Sequence, residues 1–387
     1  MYAEGSETGK FVVNLEPYIN NTEYGLGREA WLGDPALGKD EKPLDDFIDA
    51  YVDGGRHFIR EGTYTFPYMK STEAMLFNFD AVTAVLAHYM PELHGNHDAI
   101  QAYMDNLDWE EFMNLCRETW KYKDEINPAM KIPAFYDSDG NLMISQMFQA
   151  DVKYSSINTS TNTGRIDFAT GENRNKAEKI ASDLKGWYDE HLFTTKGAFS
   201  TYGSDSFKNK ESVFTIGSTG GSGYSLTSSF EIGVCKVPSL DGDNPTYVCQ
   251  GPDLCLFNNP KISAKANSDR VLYAWKLMKY LTNPDNNVNI CINGSEGYLP
   301  VRESAYYTDA YLTFLSHETE ANVKIANCVT GDIDGRYYTT SCFMGSADLR
   351  KETGGILTEI LLTESITPTL ISTIFQTGID NATLKIK

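Results

Sequence analysis

The chain has 387 residues, with 33 basic and 53 acidic side chains and a net charge of −20. That balance excludes nucleic-acid binding by phosphate neutralisation and a firm seat on an anionic membrane, both of which need clustered Lys and Arg. It suits a soluble protein with an uncharged or cationic ligand, and the length suggests two domain-sized lobes.

In chain order, Phe11–Ile19 reads as a short strand and turn, and Leu44–Val52 as a helix. Ala74–Phe77 is a short apolar run that fits a buried strand. Asp108–Tyr122 predicts a helix, with Asp108 and Glu111 forming a capping box and Trp109, Phe112, Leu115, Cys116 and Trp120 at helical spacing. Ser155–Thr170 reads as the widest polar loop. A second helix is predicted over Lys176–Leu192, with Ile180, Leu184, Trp187 and Tyr188 on one face. A third spans Ser268–Thr282, with Val271, Trp275, Met278 and Leu281 on one face and Asn283-Pro284 ending it. Short strands are expected at Val213–Ile216, Ile232–Val237 and Leu254–Phe257. Helices alternating with short apolar strands indicate an α/β protein.

The residues that carry chemistry elsewhere form no convincing catalytic set. His94 and His97, near Glu92 and Asp98, are the closest histidine pair, but the intervening Gly-Asn breaks the i, i+4 geometry of a helical metal site. DSDGN (137–141) and DIDG (332–335) resemble calcium loops at first sight. Leu142 and Phe148 stand where an EF-hand needs Gly and Glu, so both strings read as Asx-type turns. GSTGGSG (217–223) follows a predicted strand and lets backbone N–H groups approach a ligand, but no Gly-Lys-Ser/Thr follows it. There is no G-x-S-x-G elbow, and acidic pairs of the glycosidase kind are too common in so acidic a chain to discriminate. The seven cysteines include no C-x-x-C pair; Cys235 and Cys249 could bridge, against the alternative of buried free thiols. No apolar run approaches the ~18 residues of a membrane span. MYAEGSETGKFVV shows neither the basic nor the apolar region of a signal peptide.

Six strings, taken in order from about residue 11 onward, resemble one family. They are VVNLEPYI (12–19), YTFPYMKSTEAMLFNFD (64–80), AFYDSDGNLMISQMFQ (134–149), SVFTIGSTGGSG (212–223), CQGPDLCLF (249–257) and NGSEGYLPVRESAY (293–306). Together they are similar to the extracellular solute-binding proteins of ABC importers, in the carbohydrate group that includes the maltose- and glycerol-3-phosphate-binding proteins. The resemblance implies an α/β fold of two lobes, a type II periplasmic-binding-protein clamshell with ligand in the cleft. Chain crossings are then expected near Thr72–Leu76, Gln250–Leu254 and Gly297–Arg302. The first lobe would hold residues 1–74 and 251–301, and the second 75–250 and 302–387.

The resemblance further implies a monomeric receptor, not an enzyme, with no cofactor or metal. It would bind a neutral sugar or oligosaccharide and deliver it to ABC permease subunits. Ser71, Thr72, Asp137, Ser138, Asn141, Ser218 and Thr219 are the expected polar contacts. Backbone near Gly217 and Gly251 adds to them, and Tyr68 and Tyr298 offer flat faces. Tyr224 stands where relatives often carry a stacking Trp. Cys342 stands where the resemblance places a phosphate-pairing cation, with Arg350 further along, which argues against phosphate. A carbohydrate-active hydrolase and a non-transport surface receptor remain as alternatives. In the family a strand–helix–strand–helix unit of roughly 65 residues precedes the segment that matches VVNLEPYI. The first lobe is therefore expected to be N-terminally incomplete, the full-length protein being exported as a surface lipoprotein or into a periplasm.

Overall fold

The structure, a computed structural model, describes residues 11–26, 44, 46–58, 60–240, 246–294, 297–330 and 337–386. Its centre is a mixed five-stranded sheet of β1 (Glu73–Asn78), β2 (Ala134–Tyr136), β3 (Phe193–Thr195), β4 (Phe214–Ser218) and β5 (Ile232–Cys235), in the order β3-β2-β4-β1-β5. β2 runs parallel to both β3 and β4, whereas β1 is antiparallel to β4 and β5. The longer helices are α1 (Phe79–Tyr89), α2 (Trp109–Lys121), α3 (Asp139–Gln149), α4 (Gly171–Asp189), α5 (Ala264–Leu281), α6 (Ser346–Leu362) and α7 (Pro368–Thr383).

β1 shows why this sheet forms. Successive side chains of a strand point to opposite faces. Met75 and Phe77 enter the larger core with Phe112, Leu142 and Phe214, while Ala74 and Leu76 meet Phe207, Phe230, Val234 and Leu299. All six residues are buried. Asn78 then caps α1, its side chain accepting the Ala81 amide at 3.0 Å.

The predicted capping box is present on α2: Asp108 Oδ1 accepts the Glu111 amide at 2.7 Å, and Glu111 Oε2 accepts the Asp108 amide at 3.1 Å. α4 begins five residues before the predicted start, because its first turn, GENRNK, is polar and mostly exposed and carries no apolar periodicity. α5 begins at Ala264, capped by Ser263, and buries Val271, Trp275 and Met278 as expected.

Other expectations need correcting. The segment 155–170 is not a loop throughout: Ser155–Asn158 pairs antiparallel with Thr163–Ile166, and Asn162 takes the positive φ of 53° that the turn requires. DSDGN forms no free-standing Asx turn. Ser138 caps α3 by accepting the Asn141 amide at 3.1 Å, and α3 follows because Leu142, Met143, Ile144 and Met147 bury in the core. The predicted helix at 44–52 is a single turn, Asp49–Asp53. The strand expected at Leu254–Phe257 is reduced to Asp253–Leu254, paired with Phe66–Pro67. None of the seven cysteines is in a disulfide, so Cys235 and Cys249 do not bridge.

A second, smaller core gathers Leu15, Ile19, Phe47, Tyr51, Phe66, Trp275 and Val301. The Trp275 ring meets Phe66 edge-on at 5.6 Å, and its Nε1 donates to the Tyr24 carbonyl at 3.0 Å. Beside it the buried Arg302 guanidinium lies 3.3 Å from Asp46 Oδ2, donates from Nε to the Thr282 carbonyl at 2.8 Å, and covers the Phe47 ring. Three chain passages run side by side between the two cores. Lys70 exchanges backbone hydrogen bonds with Leu299, and Ser71 exchanges them with Gln250.

Candidate ligand-binding cleft

The three passages meet the sheet where β2 and β4 end and β1 begins, and a cavity of about 800 Å³ opens there. Crevices at the carboxyl ends of strands are where open α/β sheets accept ligands. β2 delivers Asp137 and Ser138, β4 delivers Gly217 and Ser218, and the turn after β4 delivers Thr219 and Ser222.

The turn at Gly297-Tyr298 depends on two glycines. Gly297 has φ +91°, and a Cβ there would lie 1.9 Å from the Thr219 carbonyl oxygen. Across from it, a Cβ on Gly220 would come within 2.5 Å of the Tyr298 ring. Only this pair of bare backbones lets Tyr298 close on the turn after β4 and still line the cavity.

Of the expected contacts, Ser71, Asp137, Ser138, Asn141, Ser218, Thr219, Gly251 and Tyr298 all line this one cavity, as does Gly217. Tyr68 and Thr72 do not. Tyr68 is on the passage before Lys70, where its carbonyl accepts from Asn287 Nδ2 at 2.7 Å. Thr72 is buried and borders a small separate space with Lys236 and Tyr247.

Two carboxyl groups sit in the cleft wall under altered acidity. Burial pushes the Glu73 carboxyl up to about 7, against the hydrogen bonds it accepts from Tyr136 and Asn141. Burial also raises Asp137, against the Gly203 amide that donates to its Oδ1 at 2.8 Å. The Ser138 hydroxyl accepts the α3 cap bond and keeps its hydrogen for donation.

The family profile described as bacterial extracellular solute-binding protein matches residues 9–315. This chain belongs to the bacterial extracellular solute-binding protein family. No match was found among curated protein sequences. Among solved structures it resembles UgpB from Mycobacterium tuberculosis in complex with glycerophosphocholine, at 15% identity and a TM-score of 0.65, over 97% of this chain and 78% of that one. It also resembles the sugar-binding protein MalE from Xanthomonas citri, at 15% identity and 0.65, over 97% and 80%. A third is an Arthrobacter chlorophenolicus sugar transporter protein with bound laminaribiose, at 13% and 0.61, over 96% and 80%. These likenesses establish the two-lobe clamshell fold, and family membership makes this solute-binding protein extracytoplasmic. Among the described residues, no helix is long and apolar enough to cross a membrane.

The cleft of this solute-binding protein holds residues that sequence reasoning passed over: Glu73, Tyr202, Asp205, Lys208, Ser222 and Gln250. One signal was available for Glu73. A carboxylate within a strand whose every other residue is buried is a poor structural choice and a good functional hint. Cys342 is not in the cleft; its amide donates to the His57 carbonyl at 2.8 Å, where it bridges beside Phe58. Arg350, one turn into α6, lines the cavity instead. The cation that the sequence placed further along than Cys342 thus reaches the cleft wall. α3 and α6 approach closely at Gly140 and Gly354, and this brings Arg350 to the cleft. His97, of the histidine pair, is 3.0 Å from Glu231 and stacks on Phe79, away from the cleft.

Proposed function

We propose that this protein is the carbohydrate receptor of an ABC importer, a monomer that presents a sugar or oligosaccharide to permease subunits at the membrane, either lipid-anchored or free. The observation that carries the reading is the composition of the cleft. Hydroxyl, amide and carboxyl side chains from three passages and two strands converge on one space, and Tyr202, Tyr224 and Tyr298 border it. Tyr224 is 75% exposed and Tyr202 is 53% exposed, so both are open to a ligand face. Sugar hydroxyls need paired partners when buried, at about 1–3 kcal/mol for each one left unpaired, and aromatic faces cover their apolar C–H surface. The solved relatives named above include two described as sugar proteins, which favours the same class.

In this reading the lobes are 1–74 with 251–301, and 75–250 with 302–387. Arg302, Ser304 and Tyr306 still pack against the first core, so the last crossing is completed a few residues beyond Arg302. A second reading, a sugar or polyol carrying an anionic group, is favoured by Arg350 and Lys208 in the same wall.

A thermal-shift screen of neutral and anionic mono- and oligosaccharides separates the two, since a ligand that binds only the folded state raises the melting temperature by mass action. Turnover of chromogenic glycosides would instead make the protein a hydrolase. For a sugar that scores in the screen, Tyr298→Ala should cost about 1–3 kcal/mol of affinity by calorimetry, with little loss of stability. Undiminished affinity would remove Tyr298 from the contact surface. Solution scattering should show a smaller radius of gyration at saturation, as lobes close over ligand; superimposable curves would count against a clamshell motion.

A further inference from the structure

Glu73 stands at the start of β1, 4% exposed, where the first passage enters the sheet. Its two carboxylate oxygens have separate duties. Oε2 accepts the Tyr136 hydroxyl at 2.5 Å, and Oε1 accepts Nδ2 of Asn141 at 2.6 Å. The same nitrogen donates to Gln250 Oε1 at 3.2 Å, on the neighbouring passage. Asn141 is thus held by its NH2 group across two of the three passages, while its carbonyl oxygen has no partner among the described residues. An amide nitrogen only donates and its oxygen only accepts, so an acceptor at Glu73 dictates which end of Asn141 faces which way.

We propose that Glu73 is a proton-sensitive positioning residue: as a carboxylate it holds the Asn141 amide against the Gln250 passage, and as an acid it loosens that hold, so that the donor pattern the cleft offers a solute follows the pH of the medium. The proton has a defined place. An Asn NH2 group cannot accept a hydrogen, so the acid proton sits on Oε2 and is given to the Tyr136 oxygen. Tyr136 turns its own hydrogen toward the Ser145 hydroxyl beside it, and Ser145 is already bonded to Tyr338 at 2.8 Å. The bond from Asn141 to Oε1 then falls from charge-assisted to neutral, losing about half its strength.

The surroundings permit both states. No ion pair to Glu73 forms among the described residues. Burial, the largest influence, and Asp137, at the end of β2, oppose the carboxylate; the hydrogen bonds from Tyr136 and Asn141 and the charge of Arg350, from α6, favour it without cancelling the burial. Behind Glu73 stand Lys236, Tyr247, Cys328 and Tyr337. The carboxyl is pushed up to about 7, so both forms are populated near neutrality. The inference holds for any solute in this cleft and does not need the ligand to be a sugar.

Nitrogen-resolved NMR of the whole chain, labelled at asparagine and with no ligand added, tests it directly. The Asn141 side-chain amide is assigned by its loss in Asn141→Ala. Between about pH 5.5 and about pH 8.5 it should move through one transition in the wild type and stay flat in Glu73→Gln. Tyr136→Phe, which removes a donor to the carboxylate, should move the midpoint upward. A wild-type Asn141 amide that stays still across this range would overturn the proposal. So would one that moves equally in Glu73→Gln, because Asp137 or another group would then be the titrating partner.

Discussion

Arg302→Ala should lower the unfolding free energy by about 3–5 kcal/mol, measured by urea denaturation, and this is the largest loss we expect from a single surface-distant substitution. Arg302 and Asp46 are both almost fully buried beside the smaller core. Removing the guanidinium leaves Asp46 as an uncompensated buried charge, still accepting from the Ser304 amide and hydroxyl at 2.9 and 2.7 Å. It also uncovers the Phe47 ring and orphans the Thr282 carbonyl. The pair is not irreplaceable, however. Burying two ions is costly in itself, so Arg302→Met combined with Asp46→Ala should recover part of what Arg302→Ala loses. A double-mutant cycle would read that recovery as a coupling energy between the two sites. A single-mutant loss below about 1 kcal/mol would mean that the pair behaves as a surface ion pair and that the smaller core holds by its apolar contacts alone.

The second large effect is a pH dependence centred on Glu73. Its folded-state acidity lies near 7 against 4.5 for an ordinary glutamate, with burial as the main cause. For an acid shifted this way the native state holds the proton after the unfolded chain has released it. Stability is therefore unaffected below about pH 4.5, falls as pH rises from there toward 7, and carries a constant penalty above that, on the order of 3 kcal/mol in total. Glu73→Gln cannot ionise. The stability of Glu73→Gln minus that of the wild type should increase across this window and then level off. The difference cancels the other titrating groups, whose contributions are common to both proteins. A flat difference from pH 4.5 to 8 would show that Glu73 keeps an ordinary acidity, with water or Arg350 compensating its charge.

The order of elements was legible from the sequence because each signal is local. The capping residues of α2, the apolar spacing on α5 and the glycine-rich turn after β4 each act within a few residues, and their geometry follows. Most of the cleft was readable through the family resemblance: Ser71, Asp137, Ser138, Asn141, Ser218, Thr219, Gly251 and Tyr298 lie within or beside the strings that carry it, and all of them line the cavity. What only the tertiary structure decided is the facing of side chains within buried segments. β1 is buried on both sides. The polar–apolar alternation that tells inside from outside elsewhere is absent there. Nothing local says that Glu73 lines the cleft while neighbouring Thr72 borders only the small space beside Lys236 and Tyr247, or that Tyr68 stays outside. Arg350 poses the same difficulty on a helix. Its place in the cleft is set by the close approach of α3 and α6 at Gly140 and Gly354, a contact between segments some two hundred residues apart, which spacing along one helix cannot encode.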